Sequence, residues 1–335
     1  MNTIEVLERP VHIHPRRLCH ANMFVSDLRR SLDFYHRVCG LEVVLEQPEI
    51  NAGFLSNGNT HHDIGMLQVT SKPVFGEQGH RILAANQGSE PGLYHFGWEM
   101  ESEFELVRAH ERLVAAGYRI WRTVRHRASH SVYLFDPDGN VHEFYADVER
   151  DWRTLYEKGT TLSGQWDPDV SRATTDARYD PDPEIRRVAD APVHPLRFSH
   201  AAMVVRNFEN MQRFYANVVG LFEVFRSDDG SVVAYGSRAG VHPFTMAIVG
   251  AAADEARPRK SIHHIAFQVS AADDVDRAEA AFRERGVPVE HSVDTPAKRS
   301  VFIRDPDGVP VEFCHARAGW SPQVAMGGSR DARFL

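Results

Sequence analysis

Residues 124–145, VRHRASHSVYLFDPDGNVHEFY, gather three histidines, two tyrosines and a glutamate around an Asp-Pro-Asp-Gly turn. Proline presets φ at one turn position and glycine accepts φ > 0 at another, so two short strands, roughly SVYLF and VHEFY, fold back as a hairpin. The second strand alternates: Val141, Glu143 and Tyr145 take one face, His142 and Phe144 the other. A carboxylate set between Val and Tyr is costly to bury unless it is paired, hydrogen-bonded or bound to a metal. Glu143 is therefore the first candidate for chemistry.

The hairpin recurs. In VFIRDPDGVPVEFCH (301–315), Asp305, Pro306, Asp307, Gly308 and Glu312 each lie 169 positions after Asp136, Pro137, Asp138, Gly139 and Glu143. The same offset carries LYHFGWEM onto IHHIAFQV and superposes His95 on His264. Upstream the offset becomes 180, LCHANMFV falls on FSHAAMVV, and His20 superposes on His200. Each repeat thus holds a His, a second His and a Glu in one order: His20, His95, Glu143, then His200, His264, Glu312. Two imidazoles and a carboxylate are ligand types that a divalent first-row metal takes. Their duplication at matching points of the pattern argues for a metal site rather than for histidines that merely occupy strands. His61 and His62 before Asp63, like His12 and His14 near the terminus, lack repeat partners and read as surface residues.

The elements that would position these groups form four copies of one unit. Cys19 to Val25 alternates as a strand; Asp27 to Val38 has helical spacing, closed by Gly40; short strands follow through Val69. HFGWEM, a helix over Glu103 to Ala116 stopped by Gly117, YRIWRTV and the DPDG hairpin make the second unit. Units three and four repeat this through RFSHAAMVV, a helix near Glu209 to Val218, IHHIAFQV and a helix near Asp274 to Arg285. The expectation is an α+β fold of four β-α-β-β-β units paired into two curved, mostly antiparallel sheets. The domains would be residues 15–149 and 196–320, and the repeats do not decide whether unit one pairs with two or with four. Between them, residues 150–195 are rich in Asp, Arg, Pro and Thr and weakly periodic, as expected of a linker, although Trp152, Tyr156, Trp166 and Tyr179 would also suit a lid.

A chain of 335 residues, 42% hydrophobic and 25% charged, is long enough for two cores. Its formal net charge of −8 argues against nucleic acid or an anionic membrane as the main partner. Three cysteines without CxxC spacing suit a reducing compartment. No apolar run reaches the ~18 residues of a membrane span, and the first residues lack an export core, so a cytoplasmic protein is expected.

The paired units, the His/His/Glu order and the DPDG-x3-E ending resemble the vicinal oxygen chelate superfamily, which includes glyoxalases, antibiotic-resistance proteins and extradiol catechol dioxygenases. Within it, Val124, His126, Val132, Tyr133, Asp136, Pro137, Gly139 and Glu143 are similar to the extradiol dioxygenase signature. His80 stands 15 positions before His95, where the family's acid-base histidine lies. The resemblance implies Fe(II), with Mn(II) as the alternative, held by His20, His95 and Glu143 as a two-histidine, one-carboxylate face with open positions. It further implies a small aromatic diol and O2 as substrates, ring cleavage that incorporates both oxygen atoms, and a homo-oligomer. His80 would move the diol proton, Tyr133 would donate to a substrate oxygen, and His126 would steady the deprotonated diol, with His130 competing for that last role.

The second half has Phe302 in place of Tyr133 and Val249 in place of His80, and His291 lies too far from Val301 to fill the signature. The N-terminal half is thus the expected reactive one, while His200, His264 and Glu312 either bind a metal without chemistry or belong to a scaffold. Two other functions fit the superfamily: a glyoxalase-like isomerase, lyase or transferase that uses its metal without O2, and a module that sequesters an aromatic compound or an antibiotic. The latter needs no metal triad.

Overall fold

The computed structural model describes residues 7–76, 79, 81–157, 164–240, 243–251 and 262–318. The first unit comprises β1 (Arg17–Val25), α1 (Leu28–Arg37), β2 (Glu42–Gln47), β3 (Ala52–Ser56) and β4 (Ile64–Gln68). A small hairpin of β5 (Val74–Phe75) and β6 (Arg81–Leu83) leads to the second unit: β7 (Gly92–Glu99), α2 (Glu103–Ala116), β8 (Ile120–Arg125), β9 (Ser129–Phe135) and β10 (Val141–Asp147). Next come α3 (Trp152–Glu157) and β11 (Gly164–Gln165). The second half runs β12 (Arg197–Val205), α4 (Phe208–Arg213), β13 (Phe222–Arg226), β14 (Val232–Gly236), β15 (Met246–Gly250), β16 (Ile262–Gln268), α5 (Ala272–Glu284), β17 (His291–Asp294), β18 (Lys298–Arg304) and β19 (Pro310–Ala316).

Units one and two share a nine-stranded sheet ordered β11-β8-β9-β10-β7-β1-β4-β3-β2, and units three and four share an eight-stranded sheet ordered β13-β14-β15-β12-β16-β19-β18-β17. This settles the pairing that the repeats left open. Within each sheet the two units meet antiparallel at their first strands, β1 on β7 and β12 on β16, while each first strand pairs parallel with the last strand of its own unit.

The helices form where local chemistry favours them. Asp27 caps α1 by accepting from the Arg30 N–H, and Ser102 caps α2 by accepting from Glu105. Gly117, at φ +77°, ends α2 in the left-handed region. The helix expected near Glu209 to Val218 is α4 followed by a π-helical turn over Phe214–Val219, which buries Phe214, Tyr215, Val218 and Val219 together.

One apolar core runs through both halves, with Trp98 6.3 Å from Tyr215 between ring centroids. The two DPDG turns clasp it reciprocally. Asp138 accepts from the backbone N–H groups of Arg206 and Asn207 at 2.7 and 3.1 Å, while Asp307 accepts from the N–H of Ser26 at 2.9 Å and from its hydroxyl. Each turn thus holds the lead-in to the other half's first helix.

Candidate metal centre and its cavity

Strand register lines up the polar residues of the first sheet in a row. His20 of β1 stands opposite Gly97 of β7; Glu143 of β10 lies beside Gly97 and opposite Tyr133 of β9; and Tyr133 faces Arg122 of β8. His95, two residues along β7 from Gly97, shares the same face. Glycine at 97 leaves open the space that His20 uses: with the ring where it lies, a Cβ there would stand 1.9 Å from its Nε2. The imidazole crosses the strand through the space that a side chain would fill, and so reaches Glu143.

His20 Nε2 and His95 Nε2 each lie 3.0 Å from Glu143 Oε2, and the three ligand atoms all fall within 4.8 Å of one another. His95 Nε2 makes no well-aligned hydrogen bond despite that distance, so it is aimed beside the carboxylate rather than at it. Burial pushes His20 down to about 4 against the pull of Glu143, and lowers His95 for the same reason. Both rings are then neutral at pH 7, the form that ligates a metal. Burial alone would raise Glu143, but His20 and His95 hold it well below the usual carboxylate range. Two neutral imidazoles and an ionised carboxylate converging in a buried place fit a divalent first-row cation.

Tyr133 donates its hydroxyl to Glu143 Oε1 at 2.6 Å, and His126 Nε2 lies 3.0 Å from the same hydroxyl. With the phenol proton directed at Glu143, His126 is the donor to Tyr133, which fixes its tautomer. His126 opens onto a cavity, but the surrounding protein lowers its pKa to about 4. Burial, followed by the Glu143 charge, pushes the Tyr133 phenol well up.

The cavity encloses about 300 Å³. His95, His126, Tyr133 and Glu143 line it, along with apolar Ile50, Phe54 and Leu67. Tyr156, Gly164 and Gln165 complete part of the wall, so residues 150–195 do more than run over the surface. His130 is not in the wall: its Nδ1 lies 2.6 Å from Glu103 and its ring stacks on Trp166. His80 lies outside the described residues; Gly76 and Arg81, on either side of it in sequence, line the cavity.

Two expectations need correction. His61 and His62 are not surface residues but are buried in the turn before β4, and both line the cavity. His62 lies 4.1 Å from the His20 ring and 3.1 Å from Asn22 Oδ1; His61 Nδ1 lies 3.2 Å from Asp147. The buried Asp63 carboxylate anchors this turn by accepting from the backbone of Asn57 and Phe198. His12 and His14 are half-buried, because residues 11–14 hydrogen-bond along 217–219.

The second sheet repeats the row with different chemistry. His200, Ala266, Glu312, Phe302 and His291 occupy the register of His20, Gly97, Glu143, Tyr133 and Arg122. His200 and His264 still approach Glu312 Oε2, at 3.1 and 3.4 Å. Glu312 Oε1, however, is held at 2.7 Å by the ammonium of Lys298, itself 1% exposed. A built-in cation already neutralises this carboxylate, so the donor set does not fit a metal ion as the first does. Where His62 packs on His20, Phe244 packs on His200 at 4.5 Å.

A sequence model described as "Glyoxalase/Bleomycin resistance protein/Dioxygenase superfamily" matches residues 17–144 and 197–313. The chain belongs to this superfamily. Among its relatives, metapyrocatechase 2 of Cupriavidus necator is 27% identical over 164 residues, covering 47% of this chain and 46% of that protein. The chain therefore matches less than half of that relative's length. Catechol-2,3-dioxygenase of Bacillus subtilis (strain 168) is 26% identical over 223 residues, 67% of this chain and 71% of that one. The Mn(II)-bound glyoxalase from Novosphingobium aromaticivorans superposes with a TM-score of 0.63 at 16% identity, over 93% of this chain and 90% of its own. At that identity the likeness concerns the fold alone. No helix among the described residues is long and apolar enough to cross a membrane.

Proposed function

We propose that the superfamily member described here is an extradiol dioxygenase that opens the ring of a catechol-type diol at its N-terminal site. The observation that carries this reading is the row His20, Gly97, Glu143, Tyr133, in which a metal-ligand set and a phenol with its own histidine partner meet at one cavity. His20, His95 and Glu143 would hold Fe(II), or Mn(II). When bound, such an ion supplies Lewis acidity toward the diol oxygens and a path for electrons from ring to O2.

The protein's own groups would do the rest. Ile50, Phe54 and Leu67 take the face of an aromatic ring and keep water from it. Tyr133 keeps its proton at neutral pH and can turn that donor from Glu143 to a substrate oxygen, while His126 holds the phenol oxygen in place. His80 would take the diol proton. Tyr156, Gly164 and Gln165 give residues 150–195 a covering role. Names of the sequence relatives support the diol reading.

Oxygen uptake by anaerobically Fe(II)-reconstituted protein, with a panel of substituted catechols and the visible spectrum recorded together, tests the proposal. One O2 consumed per diol with a new yellow chromophore is expected. Bound metal with no uptake across the panel would overturn it in favour of isomerase, lyase or transferase chemistry. Tight aromatic binding without any metal would favour a sequestering module.

A further inference from the structure

The cavity wall carries a charge pattern that ring cleavage of a neutral diol does not need. Arg81, Arg122 and Arg127 line it against Glu49 and Glu143, in a chain whose formal net charge is −8. Glu143 is committed to the metal ligands, which leaves Glu49 as the other carboxylate of the wall. Arg122 is the most constrained of the three. It lies against two aromatic rings, 4.2 Å from the Trp121 centroid and 4.6 Å from that of Tyr133, and donates to the Ile82 carbonyl at 2.9 Å and the Tyr94 hydroxyl at 2.7 Å. Both partners are neutral. Its Nε–H is shut off from water and unsatisfied, and the guanidinium makes no ion pair among the described residues. A half-buried guanidinium whose hydrogen-bond partners are all neutral is costly to keep, and its planar fork suits a carboxylate.

We propose that Arg122 anchors a carboxylate carried on the aromatic substrate, so that the preferred diol is an aromatic acid. This deepens the diol reading and rests on it. The register places Arg122 directly across from Tyr133, whose hydroxyl reaches Glu143. A ring whose hydroxyls face the metal ligands can therefore present a substituent to Arg122 from the same cavity. A divalent ion, Glu143 and Arg122 together leave two positive charges, which a singly deprotonated diol bearing a carboxylate balances.

The test pairs catechols carrying a carboxylate, directly on the ring or through one methylene, with their primary amides. Anaerobic affinity and kcat/KM are measured for wild type, Arg122→Met and Arg122→Lys. Wild type should favour the acid over the amide by on the order of 10- to 100-fold; Arg122→Met should bring that ratio near one, and Arg122→Lys should restore part of it. An equal loss of kcat with acid and amide in Arg122→Met, the ratio being kept, would show that Arg122 only positions Tyr133 and would overturn the proposal. So would a wild type that prefers the amide. Calorimetry of phenylacetate against phenylacetamide on metal-free protein separates this from failure of the diol reading. Phenylacetate should bind more tightly in wild type and not in Arg122→Met even if no diol is turned over, and equal binding of the two would refute the anchor.

Discussion

Gly97→Ala is the sharpest test of the proposed metal centre, because it adds one methyl group and replaces no ligand. The new Cβ would stand 1.9 Å from His20 Nε2 and 2.0 Å from its Cε1, where real contacts essentially never fall below 3.0 Å. The imidazole must therefore retreat by at least 1.1 Å, the difference between 3.0 and 1.9. It has little room, with His62 at 4.1 Å and Tyr145 at 5.3 Å between ring centroids. The displaced ring should lose its present line with Glu143 and His95, although His200 reaches Glu312 opposite Ala266 in the other half. Overpacking of this kind costs about 1–3 kcal/mol in stability, and a misplacement near 1 Å costs on the order of 10²-fold in turnover. Iron content after anaerobic reconstitution, measured by mass spectrometry alongside oxygen uptake, should show loss of tight binding and at least that loss of kcat/KM. Ala266→Gly, at the matching position of the other half, should leave both unchanged. A folded Gly97→Ala protein that binds iron as wild type does and turns over within about threefold of it would refute the account of Gly97 as what places His20.

Tyr133→Phe removes the donor but no ligand; iron should stay bound while kcat falls by about 10²-fold or more, as checked by single-turnover absorbance. Wild type should bind one metal ion per chain, because Lys298 occupies Glu312. Lys298→Met should lose about 3–5 kcal/mol in denaturant melts by stranding a buried carboxylate, and a second equivalent of metal should recover part of that. Acid should weaken the metal-free protein. His20 titrates near 4 when folded against about 6.5 when unfolded, so its contribution is complete above 6.5 and is lost as pH falls toward 4. At pH 5 the loss from His20 is roughly 2 kcal/mol. His126 acts in the same direction, whereas Asp63 and Asp305, both raised to about 6 by burial, act in the opposite one. Thermal melts at pH 7 and 5 should show the lower midpoint at pH 5; equal midpoints would contradict the neutral-histidine account.

The repeats made four units and the two His/His/Glu sets legible, since each rests on periodicity or on a duplicated spacing, whereas the signature around Tyr133 was legible only through the family resemblance. Sheet pairing was not, because units one and two or one and four give the same repeats. His61 and His62 read as surface residues in the sequence because their environment comes from a non-repeating turn pinned by Asp63 to the other half. The counterpart of His62 is Phe244, which duplication alone would not align with a histidine. Arg122 and Lys298 sit in strands where a basic residue ordinarily faces solvent. Only the register, Arg122 to Tyr133 on one sheet and Lys298 beside Glu312 on the other, turns them inward.

The clasp made by Asp138 and Asp307 looks the same from either half, as the contact of a closed two-fold dimer does. The chain thus carries a dimer interface inside one molecule. In a dimer of identical copies, any change to one site alters both. Tethering the copies removes that constraint, and the two rows have diverged accordingly: one keeps glycine, tyrosine and an arginine with neutral partners around an open mouth, while the other has filled its centre with an ammonium. One copy is left free to evolve as foundation while its twin keeps the chemistry.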